Sequence, residues 1–345
     1  MSNSNVIGID LAKNVVQVCK LNIASGEVVY NKAINSNKLA ELLAKEKPAI
    51  VAMEGCGGAH FWARKAQSFG HDARIIPPKT VKAFLQGQKT DANDAMAIAI
   101  AAIQIGTTFS RIKSETQHTL QSIESSRRFL IRSITALSNH IRAFMYEYGI
   151  NTPQGYKGLT TKVLNTLDAD NDQLPSCLKG TLSIMWHQLQ TTKQQLKQLE
   201  NEKAALVQHI EPCKRLMKLE GVGVVAASML YASLGDGSNF KNGRAAAVYL
   251  GLTPKQHSSG GKTYLTGISK TACDRPLRSV LYQGALAVIQ WLPSTPRTQK
   301  EAWLIALVAR VGIKRACIAL ANKTVRTAWA MLSRDESYRA SPLIN

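Results

Sequence analysis

Four carboxylates stand where a fold could gather them: Asp10, Glu54, Asp91 and Asp94. Asp10 ends the apolar run Val6-Ile7-Gly8-Ile9-Asp10, and Glu54 ends Ala49-Ile50-Val51-Ala52-Met53-Glu54. Asp91 and Asp94 open the helix-like stretch Thr90-Asp91-Ala92-Asn93-Asp94-Ala95-Met96-Ala97-Ile98. Acids at i and i+3 share one helix face, and acids at strand C-terminal ends project into the crevice where open α/β sheets place their sites. Charges gathered this way repel unless a cation enters. Oxygen-only ligands suit Mg²⁺ or Mn²⁺, and two such ions about 3.5–4 Å apart are a recurrent device in phosphodiester chemistry. Taken singly, each acid reads more simply as a capping or surface group, Asp91 as a helix cap and Asp10 in a β-turn. Their joint placement favours the metal site.

A second candidate lies far along the chain. Gly251-Leu252-Thr253-Pro254-Lys255-Gln256-His257-Ser258-Ser259-Gly260-Gly261-Lys262 reads as a polar, glycine-bearing loop between helices. Its serines have little steric cover, and Lys262, Lys270, Arg275 and Arg278 are placed to offset phosphate charge. A serine hydroxyl is a weak nucleophile without a base or metal, and His257 is the one local base. On composition alone, such a stretch is a flexible loop. Upstream, Leu219-Glu220-Gly221-Val222-Gly223 joins two helical stretches in the manner of a helix-hairpin-helix. Glycines there let backbone N–H groups approach a phosphate, although a plain helix–helix turn fits almost as well.

Elements that would position these groups follow from the periodicity. Val6–Asp10, Val15–Leu21 and Val28–Ala33 read as a strand meander, followed by a helix over Lys38–Lys45 and a strand over Ile50–Met53. A helix over His60–Phe69, a strand near Arg74–Ile76 and the Asp91 helix complete an RNase H-like, RuvC-like mixed sheet with helices. A Rossmann domain would need a Gly-x-Gly-x-x-Gly turn after its first strand. Two heptad seams come next. One runs Leu120, Ile123, Arg127, Leu130, Ile134, Leu137, Ile141, Phe144, Tyr148, and the other Leu182, Met185, Leu189, Thr192, Leu196, Leu199, Lys203, Leu206, Ile210. They predict long paired helices, simplest as an antiparallel coiled-coil arm, with an irregular linker from Gly149 to about Ser176. A mostly helical module follows from Cys213, with helices over Val224–Leu234, Gly243–Leu250, Arg275–Ile289, Lys300–Ala309 and Ile313–Leu332. The fold class is therefore α/β plus α, divided as 1–108, 109–212, 213–333 and a tail at 334–345.

Charge points to the partner. Among 345 residues, 43 Lys/Arg face 23 Asp/Glu, a net charge of +20. Residues 241–345 hold 16 of these cations against four acids. Such basic domains bind polyanions, usually nucleic acid. Six scattered cysteines without a Cys-x-x-Cys pair fit a reducing cytoplasm rather than zinc or disulfides. The N-terminus has no signal-peptide pattern, and the longest apolar run, Ala95–Ile105, is too short to span a bilayer.

In order, these motifs resemble the DEDD transposases of the IS110 (IS-one-ten) family, within it the branch of the IS1111 (eleven-eleven) elements. The resemblance rests on Gly8-Ile9-Asp10-Leu11-Ala12-Lys13, the Glu54 strand end, Thr90–Ala95, Leu-x-Gly-Val-Gly, and the stretch Gly251-Leu252…Ser259-Gly260-Gly261…Ile268-Ser269-Lys270…Leu277-Arg278. It covers about residues 6–106 and 213–290. It implies a DNA recombinase guided by a structured noncoding bridge RNA, bacterial and nucleoid-associated, working as a dimer or tetramer on donor and target DNA. Asp10, Glu54, Asp91 and Asp94 match the family's metal-binding acids, expected to hold two Mg²⁺ or Mn²⁺ ions. Ser259 matches its nucleophile, giving a 5′-phosphoserine link, with Ser258 as the neighbour to be told apart from it. Lys13, Gly221, Gly223, Gly260, Lys262, Lys270, Arg275 and Arg278 are the expected nucleic-acid contacts. Catalytic parts on separate domains would allow assembly in cis or in trans. The chain departs from the family at Lys270-Thr271-Ala272-Cys273-Asp274, where Lys-x-Gly-Asn is usual. The alternative is a metal-dependent junction-resolving nuclease without a covalent intermediate. An actin-like ATPase would need a glycine-rich hairpin where Ala12-Lys13-Asn14 stands, and a non-catalytic scaffold leaves the acids unexplained.

Overall fold

A computed structural model describes residues 4–168, 171–268, 274–339 and 342. The chain divides into two units, Met1–His118 and Thr119–Asn345. In the first, β1 (Asn5–Asp10), β2 (Val15–Asn22) and β3 (Val28–Asn35) form an antiparallel meander. β4 (Ile50–Glu54) and β5 (Asp72–Ile76) run parallel on the other side of β1, giving the order β3-β2-β1-β4-β5. The helices are α1 (Leu39–Lys45), α2 (Ala59–Ser68), α3 (Pro78–Lys82) and α4 (Asp91–Ile103).

Successive residues of β1 enter different cores, as a pleated strand covered on both faces requires. Ile7 and Ile9 pack with Val16, Val18, Val51 and Met53 under α1 and α2. Val6 packs with Cys19, Ile50, Ala52 and the alanine-rich face of α4. The short helix α3 was not foreseen. Pro77-Pro78 reads as a break, yet proline at a first helical position lacks only an N–H that would be unpaired anyway.

In the second unit, α5 (Glu115–Tyr146, which begins at the unit boundary) and α7 (Ser176–Gln208) carry the two seams. Glu124 meets Lys203 near one end, and Ile141 and Met145 join Leu182 and Trp186 near the other, so the helices are antiparallel. Two of the seam's polar interruptions, Arg127 and Lys203, share Glu124 as a partner. Lys203 Nζ lies 2.5 Å from Glu124, and Arg127 reaches Glu124 at 3.4 Å and Glu200 at 2.8 Å. The third, Thr192, donates its hydroxyl to Gln188 O at 2.7 Å. The linker is not wholly irregular, since α6 (Tyr156–Leu167) buries Leu159 and Val163 against the arm. Polar composition masks that spacing.

The remaining elements are α8 (Glu211–Leu216), α9 (Val224–Leu234), α10 (Gly243–Tyr249), β6 (Pro254–Ser259), β7 (Lys262–Ile268), α11 (Arg275–Gln290), α12 (Gln299–Val311) and α13 (Ile313–Arg334). α9 is apolar all round and forms the centre of this core. The stretch around Ser259 is a β-hairpin rather than a loop. The two-residue Gly260-Gly261 step between the strands is a hairpin signal that the polar composition obscures. The chain after α13 is also held, Asp335 pairing with Arg215 at 2.5 Å and the Tyr338 hydroxyl lying 3.3 Å from Glu220. Among the described residues, no helix is long and apolar enough to cross a membrane.

Candidate active site

The acids occupy the ends of three elements. Asp10 is the last residue of β1, Glu54 the last of β4, and Asp91 and Asp94 lie in the first turn of α4. Thr90 caps α4, its side chain accepting from Asn93 N at 3.3 Å, so Asp91 is not the cap. α4 touches the sheet at Gly8. A Cβ added there would press on the Ala95 carbonyl and lie 2.6 Å from Ala99 N. The start of α4 is also tied to the meander. Asn31 Nδ2 donates to Ala92 O at 2.9 Å, while its Oδ1 accepts from Gln17 Nε2 at 2.7 Å.

This seating brings ligand oxygens of Asp10, Asp91 and Asp94 within 4.8 Å of one another. Glu54 is outside that triple, although it feels the charges of Asp10 and Asp94. Burial first, then Asp94 and Asp91, hold the Asp10 carboxyl above its ordinary pKa, with Lys89 opposing. Burial, Asp10 and Asp94 raise Glu54 in the same way, again opposed by Lys89. Carboxylates pushed toward protonation by one another favour a divalent cation as partner. The donor set fits a hard divalent ion.

Ser259 ends β6 and pairs with Lys262 across Gly260 (φ 55°) and Gly261 (φ 76°). Two successive positive φ values make a type I′ turn, for which Gly-Gly is suited. Strand alternation then separates the serines. Ser258 shares a face with Gln256 and Thr263, its Oγ 3.1 Å from Gln256 Nε2 and 3.3 Å from Thr263 Oγ1. Ser259 is on the opposite face with His257, Lys262 and Tyr264, and its hydroxyl has no hydrogen bond among the described residues. Both strands are exposed almost throughout.

The other expected contacts are scattered. Lys13 is exposed in the β1–β2 turn, and Arg275 is exposed at the start of α11. Arg278 is half-buried, with Nη1 3.5 Å from Gly251 O. The Gly223 Cβ position is open, whereas a Cβ on Gly221 would lie 2.5 Å from Gly284 O. Packing against α11 therefore accounts for glycine at 221. Lys270, Ala272 and Cys273 lie outside the described residues. Motif reading did not find Lys89, Asn31 or Gln17. Lys89 had one signal, a cation just before the acid-bearing helix.

Oxygen ligands at the end of a mixed sheet, on a chain strongly basic overall, are features of a metal-dependent enzyme acting on nucleic acid. Known proteins narrow that class. Residues 7–150 match a DEDD transposase family, and residues 213–301 match the family described as Transposase IS116/IS110/IS902. The chain is 35% identical over 339 residues to the transposase for insertion sequence element IS1111A of Coxiella burnetii, covering 98% of this chain and 92% of that one. It is 36% identical to a probable family 20 transposase of Pseudomonas aeruginosa, covering 98% and 99%. It is 33% identical to the transposase for IS1328 of Yersinia enterocolitica, covering 97% and 98%. The chain belongs to the IS110/IS116 family of DEDD transposases and is a DNA transposase. Membership suggests dependence on a divalent metal, for which the acidic triple is the candidate.

Proposed function

We propose that this transposase is an RNA-guided recombinase that cuts and rejoins DNA through a phosphoserine intermediate, with Mg²⁺ or Mn²⁺ assistance. The observation that carries the metal half is the convergence of Asp10, Asp91 and Asp94. The β3-β2-β1-β4-β5 order supports an RNase H-like, RuvC-like reading of the first unit. A bound divalent ion would supply Lewis-acid stabilisation of phosphate charge and ease deprotonation of the attacking hydroxyl. Asp10, Asp91 and Asp94 would hold it, with Glu54 beside them.

Ser259 is the nucleophile in this reading, and its exposed hydroxyl, without a hydrogen bond among the described residues, supports that role. Its Oγ forms a bond to phosphorus, and the bond from phosphorus to the 3′ oxygen breaks. The hydroxyl proton is lost to base, with His257 on the same hairpin face as the nearest acceptor in sequence, and the leaving oxygen takes up a proton. The products are a 5′-phosphoserine and a free 3′-OH for strand transfer. Lys262 opposite Ser259 would offset phosphate charge. A bridge RNA would pair with donor and target, and the working form would be a dimer or tetramer.

Incubating the protein with element-end RNA, DNA and Mg²⁺ should give a covalent protein–DNA adduct. Ser259→Ala should abolish it and Ser258→Ala should retain it. An adduct that persists in Ser259→Ala refutes the nucleophile, and cleavage that persists without RNA refutes the guide.

A further inference from the structure

A cavity of about 1470 Å³ opens in the second unit at the foot of the β6–β7 hairpin, between α10 and α13. Arg244 lines it from α10, and Lys314, Arg315, Lys323 and Arg326 line it from α13, with no acid among the described lining residues. None of these five cations forms an ion pair among the described residues. Arg315, Lys323 and Arg326 follow helical spacing and so share one side of α13. Gly243 brings the facing wall close, since a Cβ there would lie 3.0 Å from Arg326 O. Like charges converging without acids make a surface whose natural ligand is a polyanion.

The rest of the lining says which polyanion. Trp303 and Trp329 stand among Leu252 and Ile318. The Trp303 ring lies 4.6 Å from Lys323 Nζ, and Trp329 is anchored by donating Nε1–H to Gly237 O at 3.0 Å. A duplex buries its bases and presents phosphates to a cationic surface. Unpaired nucleotides also expose flat apolar faces, and cations interleaved with aromatic rings in a groove are the recurrent answer to both. We infer that this groove binds an unpaired segment of DNA or RNA, phosphates on the α10 and α13 cations and bases against the tryptophan-bearing wall. The inference rests on the nucleic-acid reading above, but none of the acids or the hairpin serine takes part in it.

Fluorescence anisotropy of the full chain with labelled oligonucleotides of about 10 nucleotides tests it. The probes are single-stranded DNA, single-stranded RNA and duplex DNA, titrated from low to physiological salt. Lys323→Gln with Arg326→Gln removes two exposed cations, and Lys157→Gln with Lys197→Gln is the charge-matched control on α6 and α7. Losing two phosphate contacts should flatten the single-strand salt slope by about 1.4 and weaken binding about tenfold or more at 0.1 M salt. The control pair should change neither, duplex binding should fall less, and melting should stay unchanged. Whichever single strand loses more identifies the ligand as DNA or RNA. Groove and control variants that weaken all probes equally, or polyglutamate competing as well as oligonucleotide, would overturn the inference. Wild-type protein that binds no probe would instead defeat the nucleic-acid reading itself.

Discussion

A methyl group placed on Gly8 tests how the acid cluster is assembled. The added Cβ would lie 2.6 Å from Ala99 N and 2.8 Å from Ala99 Cβ, besides pressing on the Ala95 carbonyl. Non-bonded heavy atoms settle near 3.5–4.0 Å, so α4 must withdraw from β1 by about 1 Å. Overpacking of this kind costs about 1–3 kcal/mol, which lowers the melting temperature of a unit this size by about 4 °C or more. The same movement carries Asp91 and Asp94 away from Asp10, whose ligand oxygens now share a 4.8 Å sphere. A misplacement of about 1 Å at a reacting centre can reduce rate about 100-fold. Thermal melting, Mg²⁺ or Mn²⁺ titration by calorimetry, and DNA cleavage should therefore all report loss in Gly8→Ala. Gly57→Ala is the control, because its Cβ would meet nothing within 4 Å. Unchanged melting in Gly8→Ala would refute the close contact of α4 with β1. Lowered melting with unchanged metal affinity would refute that contact as what positions the acids.

Three further outcomes follow from the packing and electrostatics. Asp10 and Glu54 are raised in the fold, so between their unfolded and folded pKa values the folded state binds more protons. Their contribution to metal-free stability should be fullest below the unfolded values, near 4, and be lost as pH rises through the folded ones. Mg²⁺ should restore it at neutral pH, by about 2.7 kcal/mol at a hundredfold excess over Kd. A metal-independent melting temperature at pH 7.5, or a metal response that survives Asp10→Asn, would count against the site. Lys203→Met strands Glu124 in a seam where Lys203 is 1% exposed; with Arg127 still 3.4 Å from Glu124, the expected loss is about 3 kcal/mol in denaturant unfolding. Glu124→Leu with Lys203→Met should regain most of it, and a fully stable single variant would refute the pairing. Gly284→Ala drives a Cβ into the Gly221 carbonyl, so the α8–α9 turn and α11 should separate at a cost of about 1–3 kcal/mol. A neutral melt would refute that contact.

What the amino-acid sequence determined by itself is local. Short apolar runs bounded by turn residues placed β1, β2, β3 and β4 and set Asp10 and Glu54 at strand ends. Heptad seams placed α5 and α7, and helix-forming composition placed α4 and α9. Polar composition masks the helical spacing of α6 and the Gly-Gly turn signal of the β6–β7 hairpin. Tertiary structure alone decided the rest. Glu54 stands outside the tight acidic triple, although β4 packs on α4 through Ile50 and Ala52. Ser258 and Ser259 part company because hairpin pairing turns adjacent side chains to opposite faces. Glu124 finds Lys203 across 79 residues, and Gly8 finds Ala99 only where helix and strand cross. A local period reports which side of an element is buried. It carries no information about what arrives from elsewhere in the chain to cover it.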